Sequence, residues 1–254
     1  MTLHFIHIGK TGGSAVKHVL KKSKHAHWPS QSGEGIHETP YGRIVLHPHK
    51  FHLKDVPEGD HAFFCMRDPV DRFFSAWYSR VTEGRPRYYV PWSDTERRAF
   101  ELYPTPQAIV ADLAAPAGDE RREQAEWAMR QIIHMKPVWR KLASASALDG
   151  EMTKIVYIAM QETLDQDFEN LKRLLNLPDR LKLPQGKAAH KRTEPVDKSL
   201  DDAGREALQR FYAKDYELIQ RCNEVRYERG WTTIKPPPRE PSGRGGVLGR
   251  LLRS

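Results

Sequence analysis

The sequence predicts an α/β fold, a mostly parallel β-sheet flanked by helices, and three observations carry that expectation. Short apolar runs alternate along the chain with stretches of helical period. One run, Ala62 to Met66, is apolar at every position, as a strand buried on both faces must be. The first run passes through a Gly-rich turn straight into a helical stripe, the form of an anion-binding strand–loop–helix unit.

Taken in order, Leu3-His4-Phe5-Ile6-His7-Ile8 reads as the first strand and Gly9-Lys10-Thr11-Gly12-Gly13-Ser14 as the turn. Val16, Val19 and Leu20 then recur at helical spacing. A second strand fits Arg43 to Leu46, and a third Ala62 to Met66. Asp68 is placed to cap a helix that opens on Pro69, and Val70, Phe73, Phe74 and Trp77 form its apolar stripe. Residues 81–104 mix charge, Tyr, Trp and Pro without period and read as a long loop or lid. Ala125, Ala128, Ile132, Met135, Trp139 and Leu142 predict one long helix between Asp119 and Leu142, kinked or broken by Pro137. A fourth strand fits Lys154 to Ala159, followed by a capping-box sequence at Thr163–Gln166. Leu164, Phe168, Leu171 and Leu175 give the next helix, which stops before Pro178. Residues 184–197 read as a basic loop and roughly 200–222 as a final helix. Residues 1–234 therefore form one domain, and the Pro-, Gly- and Arg-rich residues 235–254 a disordered basic tail.

Among the 254 residues, 41 Lys and Arg stand against 33 Asp and Glu, a formal charge of +8. Such a balance favours anionic partners without choosing among a nucleotide, an acidic glycan, nucleic acid and an acidic membrane surface. Cys65 and Cys222, far apart in a long chain, read as buried thiols rather than a disulfide framework. No apolar stretch approaches the ~18 residues of a membrane helix. The first strand begins at once and leaves no room for a signal peptide, so the expected location is cytoplasmic. The tail Val247 to Arg253 offers at most weak peripheral contact with a membrane.

Two stretches carry chemistry. In Gly9–Ser14 the glycines let backbone N–H groups approach an oxyanion, the hydroxyls donate, Lys10 supplies charge and the helix N-terminus adds its dipole. The loop is not a Walker A sequence, because Lys10 follows the first glycine rather than the second. The plain alternative is a Gly-rich turn with a solvated lysine. The second stretch is Arg67-Asp68-Pro69-Val70-Asp71-Arg72-Phe73-Phe74-Ser75. Ser75 lies round the helix from the apolar stripe, free to meet a ligand, and Arg67 has the fork that grips phosphate. Its plain alternative is a structural ion pair beside a surface serine.

Together these stretches resemble the PAPS-dependent sulfotransferases, whose first loop reads approximately P-K-T-G-[GT]-[ST]-[ST] and whose second motif reads R-D-P-x-x-R-x-x-S. The likeness is strongest to carbohydrate sulfotransferases of the heparan sulfate 2-O type, and it implies their P-loop-like parallel sheet. It would make Lys10, Thr11, Gly12, Gly13 and Ser14 ligands of the 5′-phosphosulfate, and Arg67 and Ser75 ligands of the 3′-phosphate. Two departures stand out: Gly9 replaces the usual proline, and Ala15 a second hydroxyl residue. Gly186 to Thr193 resembles the basic loop that closes over the nucleotide in glycan sulfotransferases, with Lys191 and Arg192 as its leading members.

His47-Pro48-His49 is similar to the His-x-His element of the 2-O branch, where the second histidine is the catalytic base. The resemblance implies His49 as the base, His47 as helper or alternative, and Lys10 as the group that neutralises the departing phosphate. An imidazole near pKa ~6.5 suits the task. Glu34, Glu38 and Asp55 stay in reserve as carboxylate bases; no cysteine or acidic cluster completes a metal site at His47, His49 and His52, and the plain alternative is that they are surface or core histidines with no catalytic task. The resulting expectation is an enzyme that moves a sulfuryl group from PAPS, with no metal, to an acceptor hydroxyl on a sugar. A P-loop-type nucleotide kinase or NTPase and a non-enzymatic basic glycan-binding protein are the alternatives. The first lacks the Walker lysine; the second explains the charge but not the two loops.

Overall fold

The computed structural model describes residues 2–22, 26–27, 35–39, 42–86, 88–184 and 196–238. Its strands are β1 (Thr2–Ile6), β2 (Ala26–His27), β3 (Gly35–Thr39), β4 (Gly42–Leu46), β5 (His61–Met66) and β6 (Ile155–Met160). They form one sheet in the order β2-β3-β4-β1-β5-β6. The four strands read from the sequence, β4, β1, β5 and β6, are mutually parallel. β3 and β2 extend the β4 edge in antiparallel fashion. These two went unread because β2 has two residues and β3 sets Gly, His and Glu between its two strand formers, Ile36 and Thr39.

Helix α1 (Gly13–Lys22) follows β1, and α2 (Pro69–Arg80) follows β5. The excursion between β5 and β6 adds α3 (Asp94–Leu102), α4 (Pro106–Leu113), α5 (Glu120–Gln131) and the short α6 (Ala145–Leu148). After β6 come α7 (Leu164–Leu174), α8 (Asp202–Phe211) and α9 (Ala213–Glu228).

Strand alternation sorts the core. Leu3, Phe5, Phe63, Cys65 and Tyr157 face α1 and α7, meeting Val16, Leu20, Phe168 and Leu171. Ile6, Phe64, Met66 and Ile158 face the other way, onto Leu218, Cys222 and Val225 of α9. β5 is thus buried on both faces, as its composition requires. A third cluster joins α2 to α3, α4, α5 and α8 through Phe73, Trp77, Phe100, Ile109, Ala128 and Leu208. Both cysteines are free and buried.

Four expectations are corrected. Residues 81–104 are not all loop: Ser93 and Glu96 form a reciprocal capping box that starts α3. Glu96 is also fully buried, taking Arg80 through bonds of 2.9 and 2.8 Å. The helix expected over 119–142 ends at Gln131, because the next residues spend their backbone groups elsewhere. The carbonyls of His134 and Lys136 accept from Arg72, that of Met135 accepts from Tyr212 Oη at 2.6 Å, and the amides of Val138 and Trp139 donate to Asp215 at 2.9 Å. The final helix is two, broken at Tyr212, whose hydroxyl makes that same bond. Thr163 does not cap α7; it donates to buried Asp167 at 2.7 Å, a carboxylate that also binds Tyr157, the Met160 amide and Arg226. The cap at Asp68, with Pro69 at the first helical position, forms as read.

Candidate active site

Because β1, β4, β5 and β6 run parallel, the segments after them meet at one edge, where open α/β sheets bind ligands. After β1 the chain turns tightly. Lys10 takes φ 69°, a left-handed conformation that costs a side-chain-bearing residue about 1–2 kcal/mol, and Gly12 takes φ 85°. Thr11 is buried and its Oγ1 donates to the Ile8 carbonyl at 3.0 Å, while the Ala15 amide donates to Gly12 at 2.9 Å. The loop is packed on both flanks. A Cβ on Gly12 would meet Leu164 Cδ2 at 2.8 Å, and one on Gly9 would overlap the His134 ring. That overlap gives the Gly9 departure a physical reason.

Arg67 leaves β5 and turns to this loop, its Nη1 donating to the Lys10 carbonyl at 3.4 Å. Its Nε is buried and has no hydrogen-bond partner among the described residues. Burial lowers the Arg67 pKa, against the raising effect of Asp71, Glu162 and Asp68. A buried guanidinium N–H left unpaired costs about 1–3 kcal/mol. An incoming oxyanion removes that cost, so the residues present fit a phosphate-bearing donor. Ser75, half-buried, sits two turns into α2, on the face it shares with Asp71 and Tyr78. The chain at 197–198 crosses that face: Tyr78 Oη donates to the Asp197 carbonyl at 2.6 Å, and Lys198 pairs with Asp71 at 2.7 Å. The basic loop read at 186–193, with Lys191 and Arg192, lies outside the described residues.

His49 follows β4. Its Nδ1 lies 3.1 Å from the His7 carbonyl, which can only accept, so Nδ1 carries the proton and Nε2 keeps its lone pair. The ring stacks on His7 at 4.0 Å and meets His134 edge-on at 4.7 Å, while the residue stays exposed to solvent. Although the residue as a whole is exposed, desolvation of the ring where it packs on these neighbours, aided by the charges of Lys141, Lys17 and Lys10 and opposed by the bond to His7, lowers its pKa to about 4. It is therefore a neutral acceptor at pH 7.

His47 is held differently. It is buried, its Nε2 lies 2.7 Å from His4 Nδ1, and it stacks on Phe51 at 3.4 Å. His4 in turn pairs with Asp60 at 3.2 Å. Asp55 accepts from the His52 amide at 2.8 Å and closes the turn Leu53–Asp55. Glu34 lies outside the described residues, as does the Glu38 side chain.

Sequence reasoning missed Lys17, Lys141 and His134, and gave no role to His7 and Arg72 although both lie in stretches it read. Lys17 donates to the His47 carbonyl at 3.0 Å, and Lys141 donates to the carbonyl of His49. Burial lowers both lysines to about 8, with Lys21 adding repulsion at Lys17. His7 and His134 are also depressed, first by burial, then by repulsion from His49 whenever that ring takes a proton, and by Lys17 at His7 and Lys10 at His134. The edge is thus crowded with cations and neutral imidazoles, an arrangement that favours an anion. Lys17 was legible, three positions after Ser14 on the same helical face; His134 and Lys141 had no local signal.

Among the described residues no group of His, Cys, Asp and Glu is arranged to hold a metal, and no helix is long and apolar enough to cross a membrane. A family model described as the sulfotransferase family matches residues 2–220. No curated protein matches the chain.

Proposed function

The chain belongs to the sulfotransferase family, and from that premise we propose that it moves a sulfuryl group from PAPS to the hydroxyl of a carbohydrate, with His49 as general base. The observation that carries this reading is one constellation: Arg67 bonded to the Lys10 loop, with His49 held to His7 so that Nε2 is left to accept. The donor supplies the sulfuryl group. The chain's residues hold it, position the acceptor and move one proton. The backbone of Lys10–Ser14 and the start of α1 receive the 5′ end, and Arg67 with Ser75 the 3′-phosphate. His49 Nε2 takes the acceptor hydroxyl's proton as the new S–O bond forms. Lys10 neutralises the charge left on the departing phosphate oxygen as the old S–O bond breaks. We prefer His49 to His47 as base because His47 is buried against His4 and Phe51. Lys191 and Arg192 complete the nucleotide site in this proposal, and no metal takes part.

Calorimetric titration with adenosine 3′,5′-bisphosphate, beside Mg·ATP, tests the donor site. The bisphosphate should bind more tightly than Mg·ATP, and Arg67→Ala should weaken it at least about 30-fold, the cost of removing one partner of a buried charged contact. A preference for Mg·ATP would turn the reading towards a kinase-like enzyme.

A further inference from the structure

A cavity of about 330 Å³ opens between α5 and the corner where α8 meets α9, apart from the donor loops. Five cationic side chains, Arg122, Arg130, Arg140, Arg210 and Lys214, line it against one carboxylate, Glu126. Glu126 is taken by Arg130 at 2.6 Å and Arg122 at 3.3 Å, and Arg210 leans on Glu206 at 3.7 Å. Arg140 and Lys214 pair with no carboxylate among the described residues. Both are gathered on the Trp139 indole, Arg140 Cζ at 5.2 Å and Lys214 Nζ at 4.6 Å from the ring centroid. Two like charges on one ring repel each other, and an anion between them relieves that repulsion. Trp139 and Phe211 add apolar surface to the lining, and the volume lies in the range of small-ligand sites.

The cavity shares a wall with the chemistry. Pro137, Trp139 and Arg140 belong to the segment 134–141, whose His134 meets the His49 ring and whose Lys141 binds the His49 carbonyl. Asp215 fixes that segment through the amides of Val138 and Trp139, and Arg72 through the carbonyls of His134 and Lys136.

We infer that this cavity is a second anion site, taking a sulfate or carboxylate group of a saccharide acceptor at a distance from the reacting hydroxyl. That the occupant is the acceptor rests on the transferase reading above; the anion site itself does not. The acceptor is then an acidic saccharide, gripped at two places either side of the 134–141 wall.

The test is calorimetric titration with a chondroitin sulfate hexasaccharide, its desulfated carboxyl-reduced counterpart, and a single-stranded oligonucleotide of equal charge. Saturating adenosine 3′,5′-bisphosphate keeps the donor site filled. The acidic hexasaccharide should bind and the neutral one should not. Arg140→Ala/Lys214→Ala, which alters two exposed side chains, should weaken the acidic hexasaccharide at least about tenfold while leaving bisphosphate affinity unchanged. Equal binding by wild type and variant, or no binding by wild type, overturns the site. Tighter binding of the oligonucleotide with the same dependence on Arg140 and Lys214 overturns the saccharide assignment. Failure of the bisphosphate to bind breaks the donor reading alone, since the hexasaccharide comparison still reports on the cavity.

Discussion

The donor edge and the wall beside it are specified in different ways. At the donor edge the chemistry is contiguous: Gly9–Ser14 and Arg67–Ser75 each carry their own turn, cap and charge within a few residues. The wall at 132–141 is held by partners between 62 and 77 positions away, Arg72, Tyr212 and Asp215. One motif serves both. Arg67 turns to the Lys10 loop, whereas Arg72, five residues further on and in the first turn of α2, is buried, pairs with Asp215 at 3.6 Å and holds the wall's carbonyls. A short signature can thus contain one residue turned to the Gly-rich loop, where we propose the donor binds, and another that holds the scaffold beside it.

The sharpest way to separate the two regions is His49→Ala. Loss of a general base lowers kcat about 10²–10⁴-fold. If the donor binds at the edge as proposed, bisphosphate affinity should stay at the wild-type value. Normal turnover in this variant would remove His49 from the mechanism. The pH dependence gives a second reading. The proposed role as base requires a neutral ring, and the His49 pKa in the free protein is lowered to about 4. Its protonation should therefore appear well below the ordinary value of 6.5, with the imidazole fully available from about pH 6 upward. Bisphosphate bound beside Lys10 offsets part of the positive field and should raise that pKa. Proton NMR titration of the His49 ring, with and without bisphosphate, checks the direction; an unchanged or lower value would place the anion elsewhere.

The same contrast explains what was legible in the sequence. The four parallel strands and the Asp68 cap are stated by local composition. Arg67 and the Gly-rich loop could be singled out because each stretch carries its own turn and charge, and Gly9 became intelligible only when His134 was seen packed against it. The α3 cap was present as Ser93-x-x-Glu96 but was masked by the surrounding Tyr, Trp and Pro. The end of α5 was not legible at all. Ile132, Met135, Trp139 and Leu142 continue the apolar pattern of a helix; Ile132, Met135 and Leu142 are buried and Trp139 partly so, which satisfies that pattern without helical bonds. His134 and Lys141 reach His49 only through this non-helical path, so no spacing rule could have paired them with it.

A smaller but still large effect is expected at Glu96→Gln, which strains the comparison from the scaffold side. Glu96 and Arg80 are both about 1% exposed or less, and Glu96 also accepts from the Ile133 amide at 2.9 Å, where the wall begins. Breaking a buried ion pair by neutralising one partner costs about 3–5 kcal/mol. Urea unfolding should report that loss. Under conditions where the variant stays folded, turnover should fall more than bisphosphate affinity. Equal losses in both would mean that donor edge and wall respond as one unit.

Gly9 is where the two regions touch, and Gly9→Ala should give the smallest of these effects with the most specific pattern. The added methyl group must displace the His134 ring, and overpacking of this kind costs about 1–3 kcal/mol. His134 already holds φ 72°, which glycine adopts without strain, so His134→Gly removes the ring without opposing the backbone. In the double variant the methyl group enters the space the ring has left. The stability cost should then be smaller than the sum of the single costs, by about 0.5–3 kcal/mol in a double-mutant cycle. Bisphosphate affinity should follow the same order, falling in Gly9→Ala and recovering in the double variant, because the Lys10 backbone is what the displaced ring disturbs. Strict additivity would show that the donor loop keeps its shape without the wall, and that the two regions meet without coupling.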